Sequence, residues 1–340
     1  MAAFTGQLRS NEILSALYNM IISQEVFADN LKGSDLVDKA RVDGGLYGDT
    51  KLYYSTDALA SAEWGNDAEA TNLLEIARPE DPECQAIHLD KFRQISLTLD
   101  NYLSKRAWGD EGAFSSFQSV MMGWLSGTKK VYDATTYNAF IGTDEVATQV
   151  KKIGTNPSGQ VIAEALANII TEMTDYTRDY NEYGQLRRHS EDEIKIVFNS
   201  KVINKVKNID LPVIFDNAGL KATFAKEVLP AKYFGTVNTG SKVADANTRS
   251  LIEQTINTKH YFAGDKIKVG DTAPAGTSYQ EDGTIVCKIM TKLPPYMSAF
   301  EVGTSFFNPK SLTENHYLTF GHNTLEHLKA YPMVSVKAQA

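Results

Sequence analysis

The residues best suited to metal chemistry are six histidines, three of which lie close together near the C-terminus. His316, His322 and His327 surround Glu326, and imidazole and carboxylate groups are common zinc ligands. A helix brings two such ligands to one face when they are four residues apart, as in HExxH, whereas His322 and His327 are five apart. The spacing favours solvated histidines or histidines at the edge of a core, and it indicates no metal and no cofactor.

The sequence also lacks the usual residue patterns of nucleotide-binding sites and of catalytic nucleophiles. The glycine cluster at 44–48 has neither the GxGxxG nor the GxxxxGK[ST] layout. Cys84 and Cys287 form no CxxC pair, and no GxSxG motif is present. Carboxylates occur in runs, such as 80–83 and 191–193, that are typical of solvated surfaces. These patterns favour a structural protein over an enzyme.

An adjacent pair of arginines offers a further candidate site. Arg187 and Arg188 could bind a phosphate through their guanidinium groups. The acidic run at 191–193 follows them closely, so we expect surface salt bridges instead, each contributing little to stability.

The overall composition is typical of a soluble globular protein. Of 340 residues, 42% are hydrophobic and 22% are charged. Such a chain can form a substantial core and about two domains. The net charge of −8 argues against a protein whose main task is to grip nucleic acid. Two unpaired cysteines and an N-terminus without a basic and apolar leader predict a cytoplasmic chain with free thiols and no membrane partner.

The dominant predicted element is a long amphipathic helix over residues 108–132. Lys129 and Lys130 are expected near its end, where cations interact favourably with exposed carbonyl groups. The polar residues 133–158 are predicted to lie outside it. Apolar residues at intervals of three and four define its buried face: Ala113, Phe114, Phe117, Val120, Met121, Trp124 and Leu125.

A long hairpin is predicted ahead of this helix. Lys51–Thr56 and Ile87–Ile95 are strand-like, and the strict alternation at 95–99 is typical of a half-buried strand. The residues between the two arms are charged and alanine-rich and include Trp64. They offer little to a core, so we expect a projecting hairpin that contacts other chains, with a plain surface hairpin as the alternative.

The remaining two thirds of the chain predict a mixed α+β domain. A turn at 156–159 precedes a helix to about residue 176, and a short helix is predicted near 202–206. A loop is expected over 233–247. Strands are predicted at 194–198, 211–215, 266–269, 284–290, 299–307, 316–320 and 333–337.

This order of elements resembles the major capsid protein of tailed bacteriophages, the Hong Kong phage capsid fold. Residues 61–64, Ser-Ala-Glu-Trp, look like the tryptophan-bearing stretch of that family's extended loop. Residues 92–100, running through Tyr102 and Leu103 to Phe114, look like the strand that enters the family's spine helix. The resemblance covers nearly the whole chain in the order of its elements.

The resemblance implies an α+β capsid fold with named parts. These are an N-terminal arm (1–44), an extended β-hairpin loop (45–91), a peripheral domain with the spine helix (92–157), an axial α/β domain (158–290) and return strands of both domains (291–340). Phe114, Phe117, Met121 and Trp124 would then face the peripheral sheet.

The resemblance also implies a function and partners. The chain would be a non-enzymatic subunit of the icosahedral head shell that encloses double-stranded DNA, located in the virion and assembled in the host cytoplasm. Its partners would be copies of itself in hexamers and pentamers, a separate scaffolding protein, a portal, and packaged DNA through weak non-specific contacts.

Two tryptophans, Trp64 and Trp108, are candidate subunit contacts because buried aromatic residues dominate interface energetics. A role in the core or on a free surface is the alternative for each. Glu63, Arg187 and Arg188 complete the candidate set. One alternative is an enzyme or ligand-binding α+β domain whose site matches no known motif. Another is a different virion component, such as a tail-tube or decoration protein, although the long helix counts against a tail tube.

Overall fold

The computed structural model describes residues 34–44, 49–61, 78–100, 111–143, 147–206, 225–238, 278–323 and 325–340. These residues form four α-helices, two short 3₁₀ helices (Glu191–Glu193 and Ala231–Tyr233) and thirteen strands. The helices are α1 (Asp35–Ala40), α2 (Glu111–Gly142), α3 (Gly159–Thr174) and α4 (Ser200–Val206). The strands are β1 (Arg41–Asp43), β2 (Lys51–Ser55), β3 (Glu83–Ile87), β4 (Leu89–Asp100), β5 (Gln149–Lys152), β6 (Lys195–Asn199), β7 (Ala225–Leu229), β8 (Gly235–Asn238), β9 (Ser278–Glu281), β10 (Ile285–Met290), β11 (Tyr296–Asn308), β12 (Thr313–Asn323) and β13 (Met333–Lys337).

The first sheet has four strands in the order β1-β11-β12-β4. Strands β11 and β12 form a long antiparallel hairpin, β4 lies antiparallel to β12, and β1 runs parallel to the start of β11. The predicted alternation at 95–99 is confirmed, because Ile95, Leu97 and Leu99 are less exposed than the polar residues between them. Their side chains share the face that packs towards α2.

The second sheet has five strands in the order β5-β13-β10-β6-β7, and both of its faces are covered. Ile196 and Phe198 of β6 pack with α3, whereas Val197 between them packs with α1 and the end of α2. All six residues of the central strand β10 are buried. A sheet covered on both faces needs such continuous rather than alternating burial. The strand predicted at 284–290 is thus confirmed as β10, but its residues do not alternate between buried and exposed.

Helix α2 extends to Gly142, so the prediction that it ends at 132 was wrong. The polar residues beyond Tyr132 are buried and satisfied inside the fold. The Tyr137 hydroxyl donates to the Pro294 carbonyl at 2.7 Å, and Ser34 Oγ donates to Asn138 Oδ1 at 3.2 Å. Polarity therefore did not mark a helix end here. Of the described helices, none combines the length and hydropathy needed to cross a membrane.

Most other predicted elements are confirmed. Asn156 has the left-handed conformation expected of a turn before α3, and Ser158 caps that helix by accepting a hydrogen bond from Val161 N. The loop predicted from residue 233 is wrong at 235–238, where β8 pairs with β9. The strands predicted at 211–215 and 266–269, and the arm before residue 34, lie outside the described residues.

The backbone of Gly142, at the end of α2, packs closely against the backbone of Tyr233, and this contact gives a test of the fold. A Cβ atom on Gly142 would lie 2.0 Å from the Tyr233 carbonyl oxygen, so backbone must move to accept any side chain. We expect Gly142→Ala to lower the free energy of unfolding of the unassembled chain by about 2 kcal/mol in urea denaturation. Gly303→Ala, whose Cβ would meet no atom within 4 Å, is the matched control. Equal stability of the two variants would contradict the packing described at Gly142.

Candidate interaction surface

Strands β2 and β3 form an antiparallel stem, defined as Lys51–Ser55 with Glu83–Ile87. Alternation gives the stem two faces. The inner face carries Tyr53, and the buried Gln85 opposite it, against the body of the chain. The outer face carries Leu52 opposite Ala86, and Tyr54 opposite Cys84. The first arm of the predicted hairpin is confirmed as β2. The second arm, predicted at 87–95, was wrong, because β2 pairs with Glu83–Ile87 while residues from 89 onwards form β4 and pair with β12. The predicted tip at 62–77 lies outside the described residues.

Asp57, just after β2, anchors one side of the stem. Its Oδ1 accepts hydrogen bonds from the backbone N–H groups of Ala58 and Leu186, each at 2.8 Å, and its Oδ2 accepts one from the Arg178 guanidinium. The Arg178 hydrogen bond, supported by these two backbone donors, lowers the pKa of Asp57 to about 2. The carboxylate is therefore charged, and the contact formed, at neutral pH.

Gln85 anchors the other side of the stem. Its Nε2 donates to the His327 carbonyl and its Oε1 accepts from Lys329 N, both at 3.0 Å. The two anchoring loops, 175–189 and 325–331, are joined to each other through Glu182, whose Oε1 lies 2.9 Å from His327 Nε2. We call Asp57, Gln85 and these two loops the bracket. The bracket joins both strands of the stem to the body of the same chain. The sequence did not predict these contacts.

Arg187 and Arg188 belong to the first loop of the bracket. Arg187 donates to Gln185 Oε1 at 2.6 Å, and Gln185 in turn donates to the Ser55 carbonyl of the stem at 3.3 Å. Arg188 donates to the Thr174 carbonyl at 3.0 Å and lies over the exposed ring of Tyr176. Among the described residues neither guanidinium pairs with the acidic run at 191–193. The predicted salt bridges were wrong because the turn directs Arg187 towards the stem.

The outer face of the stem exposes apolar side chains. Leu52 is 51% exposed and Tyr54 is 64% exposed, and Leu59 beyond the stem is 77% exposed. Single exposed apolar residues are ordinary, but a strand face that repeats them is typical of an interaction site. Because the bracket fixes the inner face, this outer face is presented in one orientation.

The four-stranded sheet offers a second exposed area. Beyond the short pairing with β1, β11 has a described neighbour only on its β12 side, and Glu301–Phe307 are all exposed. The sheet face opposite α2 carries polar pairs across its strands, including Gln94 with Thr319 at 3.0 Å and Thr98 with Asn315 at 2.6 Å. Val302 and Phe306 interrupt this polar face with exposed apolar groups.

A buried polar network joins α2 to this sheet. Asp133 Oδ1 accepts from the Tyr296 hydroxyl at 2.6 Å, and its Oδ2 lies 3.4 Å from Arg41 and 3.5 Å from Lys129. Lys129 also lies 3.0 Å from Glu301 on β11. Burial raises the pKa of Asp133, while the charges of Lys129 and Arg41 and the Tyr296 hydrogen bond oppose that shift. Lys129 was predicted to interact with exposed carbonyl groups at the end of the helix. It is instead buried within α2 as an ion-pair partner of Asp133.

His322 extends the network into β12. Its Nε2 lies 2.9 Å from the Tyr132 hydroxyl, its Nδ1 lies 2.9 Å from the Asn323 carbonyl, and its ring stacks on Tyr296. His327 faces Glu182 in the bracket instead. The C-terminal histidines therefore serve different structural contacts, and the described residues contain no cluster of three or more possible metal ligands.

The remaining candidate residues divide into two groups. Trp124 is 46% exposed, so the prediction that it faces the sheet was wrong. Leu125, Lys129 and Tyr132 are among the buried positions of α2, and Trp124 lies about 100° away from Leu125 around the helix. Trp64, Glu63 and Trp108, and the side chains of Phe114, Phe117 and Met121, lie outside the described residues.

Little in the sequence pointed to the bracket residues. Arg178 and Gln85 look like ordinary surface residues, and their partners are far away along the chain. Asp57 carries a weak signal, because an aspartate that follows a strand often accepts hydrogen bonds from nearby backbone N–H groups.

Comparison with solved structures shows what this fold resembles. A capsid structure of Staphylococcus phage Andhra matches 93% of this chain and 87% of its own at 12% identity and a TM-score of 0.65. A chain in the structure of the head fiber and inner core protein gp22 of native bacteriophage P68 matches with the same identity and TM-score, covering 93% and 88%. Neither a protein-family model nor a curated protein sequence matches the chain. The chain therefore shares the mixed helix and sheet fold of chains in these two phage structures.

The buried network yields a stability prediction. Replacing Lys129 with Met removes one cation from the buried Asp133 carboxylate. We expect the free energy of unfolding to fall by about 3 kcal/mol. The matched control is Lys130→Met, at the exposed neighbouring position, where we expect a change of about 0.5 kcal/mol or less. Urea denaturation of both variants measures the difference, and a Lys129→Met variant as stable as the control would contradict the assigned role.

The bracket yields a pH prediction. The pKa of Asp57 is lower in the folded chain than its ordinary value of 3.8, so the stabilising contact is complete above about pH 4 and is lost as the pH falls towards 2. Hydrogen exchange at Leu186, whose N–H donates to Asp57, should accelerate over this range relative to the Asp57→Asn variant, which lacks the titration. Asp49→Asn, at an exposed position, should behave like the wild type. An identical pH dependence in Asp57→Asn would refute the contact.

Proposed function

We propose that the chain is the major capsid protein of a tailed phage, a subunit that assembles with copies of itself into the icosahedral head shell around double-stranded DNA. The observation that carries this proposal is the fold likeness to a phage capsid structure over 93% of the chain. The exposed outer face of the stem supports it, because an apolar strand face held in one orientation suits contact with a neighbouring subunit.

We assign the parts of the chain on the same basis. Residues 1–44 are the N-terminal arm, 45–91 the extended loop, and 92–157 the peripheral domain with α2 as its spine helix. Residues 158–290 form the axial domain, and 291–340 return to both domains. Because β5 and β13 pair within the five-stranded sheet, the axial domain we propose also includes these two strands.

In this proposal the bracket sets the direction of the extended loop. Both strands of the stem are bonded to loops of the same chain, so the loop leaves each subunit in a defined direction. In a closed symmetric shell every subunit makes the same contacts, and many weak contacts then act together. Trp64, Glu63 and Trp108 are proposed contacts beyond the stem, together with Arg187 and with Arg188 beside Tyr176.

The partners follow from the same role. Copies of the chain form hexamers and pentamers, a separate scaffolding protein and a portal guide assembly in the host cytoplasm, and the mature location is the virion. The net charge of −8 suits weak non-specific contact with packaged DNA, because enclosure does not need tight binding to each phosphate.

The alternative of an enzyme or ligand-binding α+β domain is not favoured. The fold likeness is to a capsid structure, and capsid subunits serve a structural rather than a catalytic role. A tail-tube or decoration protein is disfavoured by α2, which spans 32 residues.

The outer face of the stem gives the test of this function. We expect Leu52→Ala with Tyr54→Ala to remove apolar area from the subunit contact and to raise the protein concentration needed for assembly at least tenfold, while the fold is retained. The control is Thr56→Ala, an exposed polar residue one position beyond the same strand. Sedimentation velocity measures assembly and circular dichroism measures the fold. Assembly of the double variant at the wild-type concentration would contradict the proposed contact.

A further inference from the structure

A groove lies where the first strand, the stem and the five-stranded sheet meet. Its volume is about 490 Å³. Its lining includes Arg41 of β1, Tyr53 of the stem, Lys195 at the start of β6 and Lys292 just after the end of β10. Lys39 and Glu193 also line it. The lining thus carries four cations and one carboxylate.

The cations of this groove differ in how far their charge is already compensated. Lys39 forms an ion pair with Glu227 at 2.6 Å, and Arg41 is paired with Asp133. Lys292 donates to the Tyr331 hydroxyl at 2.9 Å and lies over that ring, but it has no described carboxylate partner. Lys195 likewise has no ion pair among the described residues. Two ammonium groups therefore remain available to an anionic ligand.

A buried hydroxyl adds a second, independent sign of a ligand. Thr291, a residue of the groove lining, is only 4% exposed, yet its Oγ1 has no hydrogen-bond partner in the described part of the chain. An unpaired buried hydroxyl costs roughly 1–3 kcal/mol, and a ligand oxygen would satisfy it. The antiparallel register places Lys195 opposite Met290. Thr291 and Lys292 come directly after Met290 in the chain and therefore lie near Lys195.

We propose that this groove binds the carboxylates of the segment Glu80–Glu83 from a second copy of the chain. The inference rests on the proposed function, because it needs copies of the chain to meet in an assembly. The ammonium groups of Lys195 and Lys292 pair with the carboxylates, and the Thr291 hydroxyl donates to one of their oxygens.

The acidic segment has the chemistry and the accessibility that this groove requires. Glu80, Asp81 and Glu83 are exposed, and none has an ion-pair partner among the described residues. Pro79 and Pro82 restrict the backbone of the segment, which lowers the entropy lost on docking. The segment does not line the groove of its own chain.

Nucleic acid is the competing source of anionic oxygens. The major groove of a DNA duplex alone is about 12 Å wide, and the whole duplex is wider still. A duplex is therefore too large to enter a groove of about 490 Å³ as a whole.

A charge-swap experiment on the full chain tests the inference. Lys195→Glu with Lys292→Glu should reduce the yield of particles at least tenfold, as should Glu80→Lys with Asp81→Lys and Glu83→Lys. Mixing the two variants, or combining all five substitutions, should restore assembly. Lys130→Glu, at an exposed position on α2, is the control and should assemble normally. Circular dichroism of each variant verifies that the fold is retained.

The outcomes separate this inference from the proposed function. A wild-type chain that stays monomeric overturns both. Normal assembly of either reversed variant, or failure of the combined chain to recover, overturns the inference alone. Normal assembly of Lys195→Glu with Lys292→Glu, accompanied by loss of bound DNA, assigns the groove to nucleic acid and likewise overturns it.

Zero-length carbodiimide cross-linking gives a readout that does not depend on variants. Particles assembled from equal amounts of ¹⁴N- and ¹⁵N-labelled chains should yield mixed-isotope peptides that join Lys195 or Lys292 to the segment. Cross-links of this pair only within one isotope, in particles that show other mixed cross-links, would overturn the inference.

Discussion

The buried carboxylate of Asp133 links α2 to two strands of the four-stranded sheet. It lies where α2 crosses both β1 and β11, and it is satisfied by Tyr296, Arg41 and Lys129 together. A buried charge without these partners would cost several kcal/mol, so the three elements must come together for the fold to form. This requirement explains how one helix can support the four-stranded sheet along its middle and still enter the five-stranded core at its end.

A second constraint acts at the edge of that core. The bracket fixes the inner face of the stem with hydrogen bonds from both of its strands and leaves the outer apolar face uncovered. Rigid placement of an apolar surface has a physical advantage in assembly, because less conformational freedom is lost when two copies meet. The structure thus combines a well-packed body with surfaces that are suited to a neighbour.

The sequence predicted what depends on local periodicity. The alternation at 95–99, the capped helix after Ser158 and the strand at 333–337 are all present where expected. The sequence did not predict features that depend on contacts between distant residues. The polar residues after Tyr132 continue α2 because they have buried hydrogen-bond partners. Trp124 lies one position away from the buried face of that helix. The bracket depends on contacts between residues far apart along the chain, such as Asp57 with Leu186, which no local pattern encodes.

In the proposed function, this chain builds a shell through the outer face of its stem. Electron cryomicroscopy of particles formed by the expressed chain would show whether this face is buried between subunits. We expect closed particles or rings of subunits in which Leu52 and Tyr54 of each copy are covered by a neighbour. A chain that remains a monomer at high concentration, or particles in which both side chains face solvent, would contradict it.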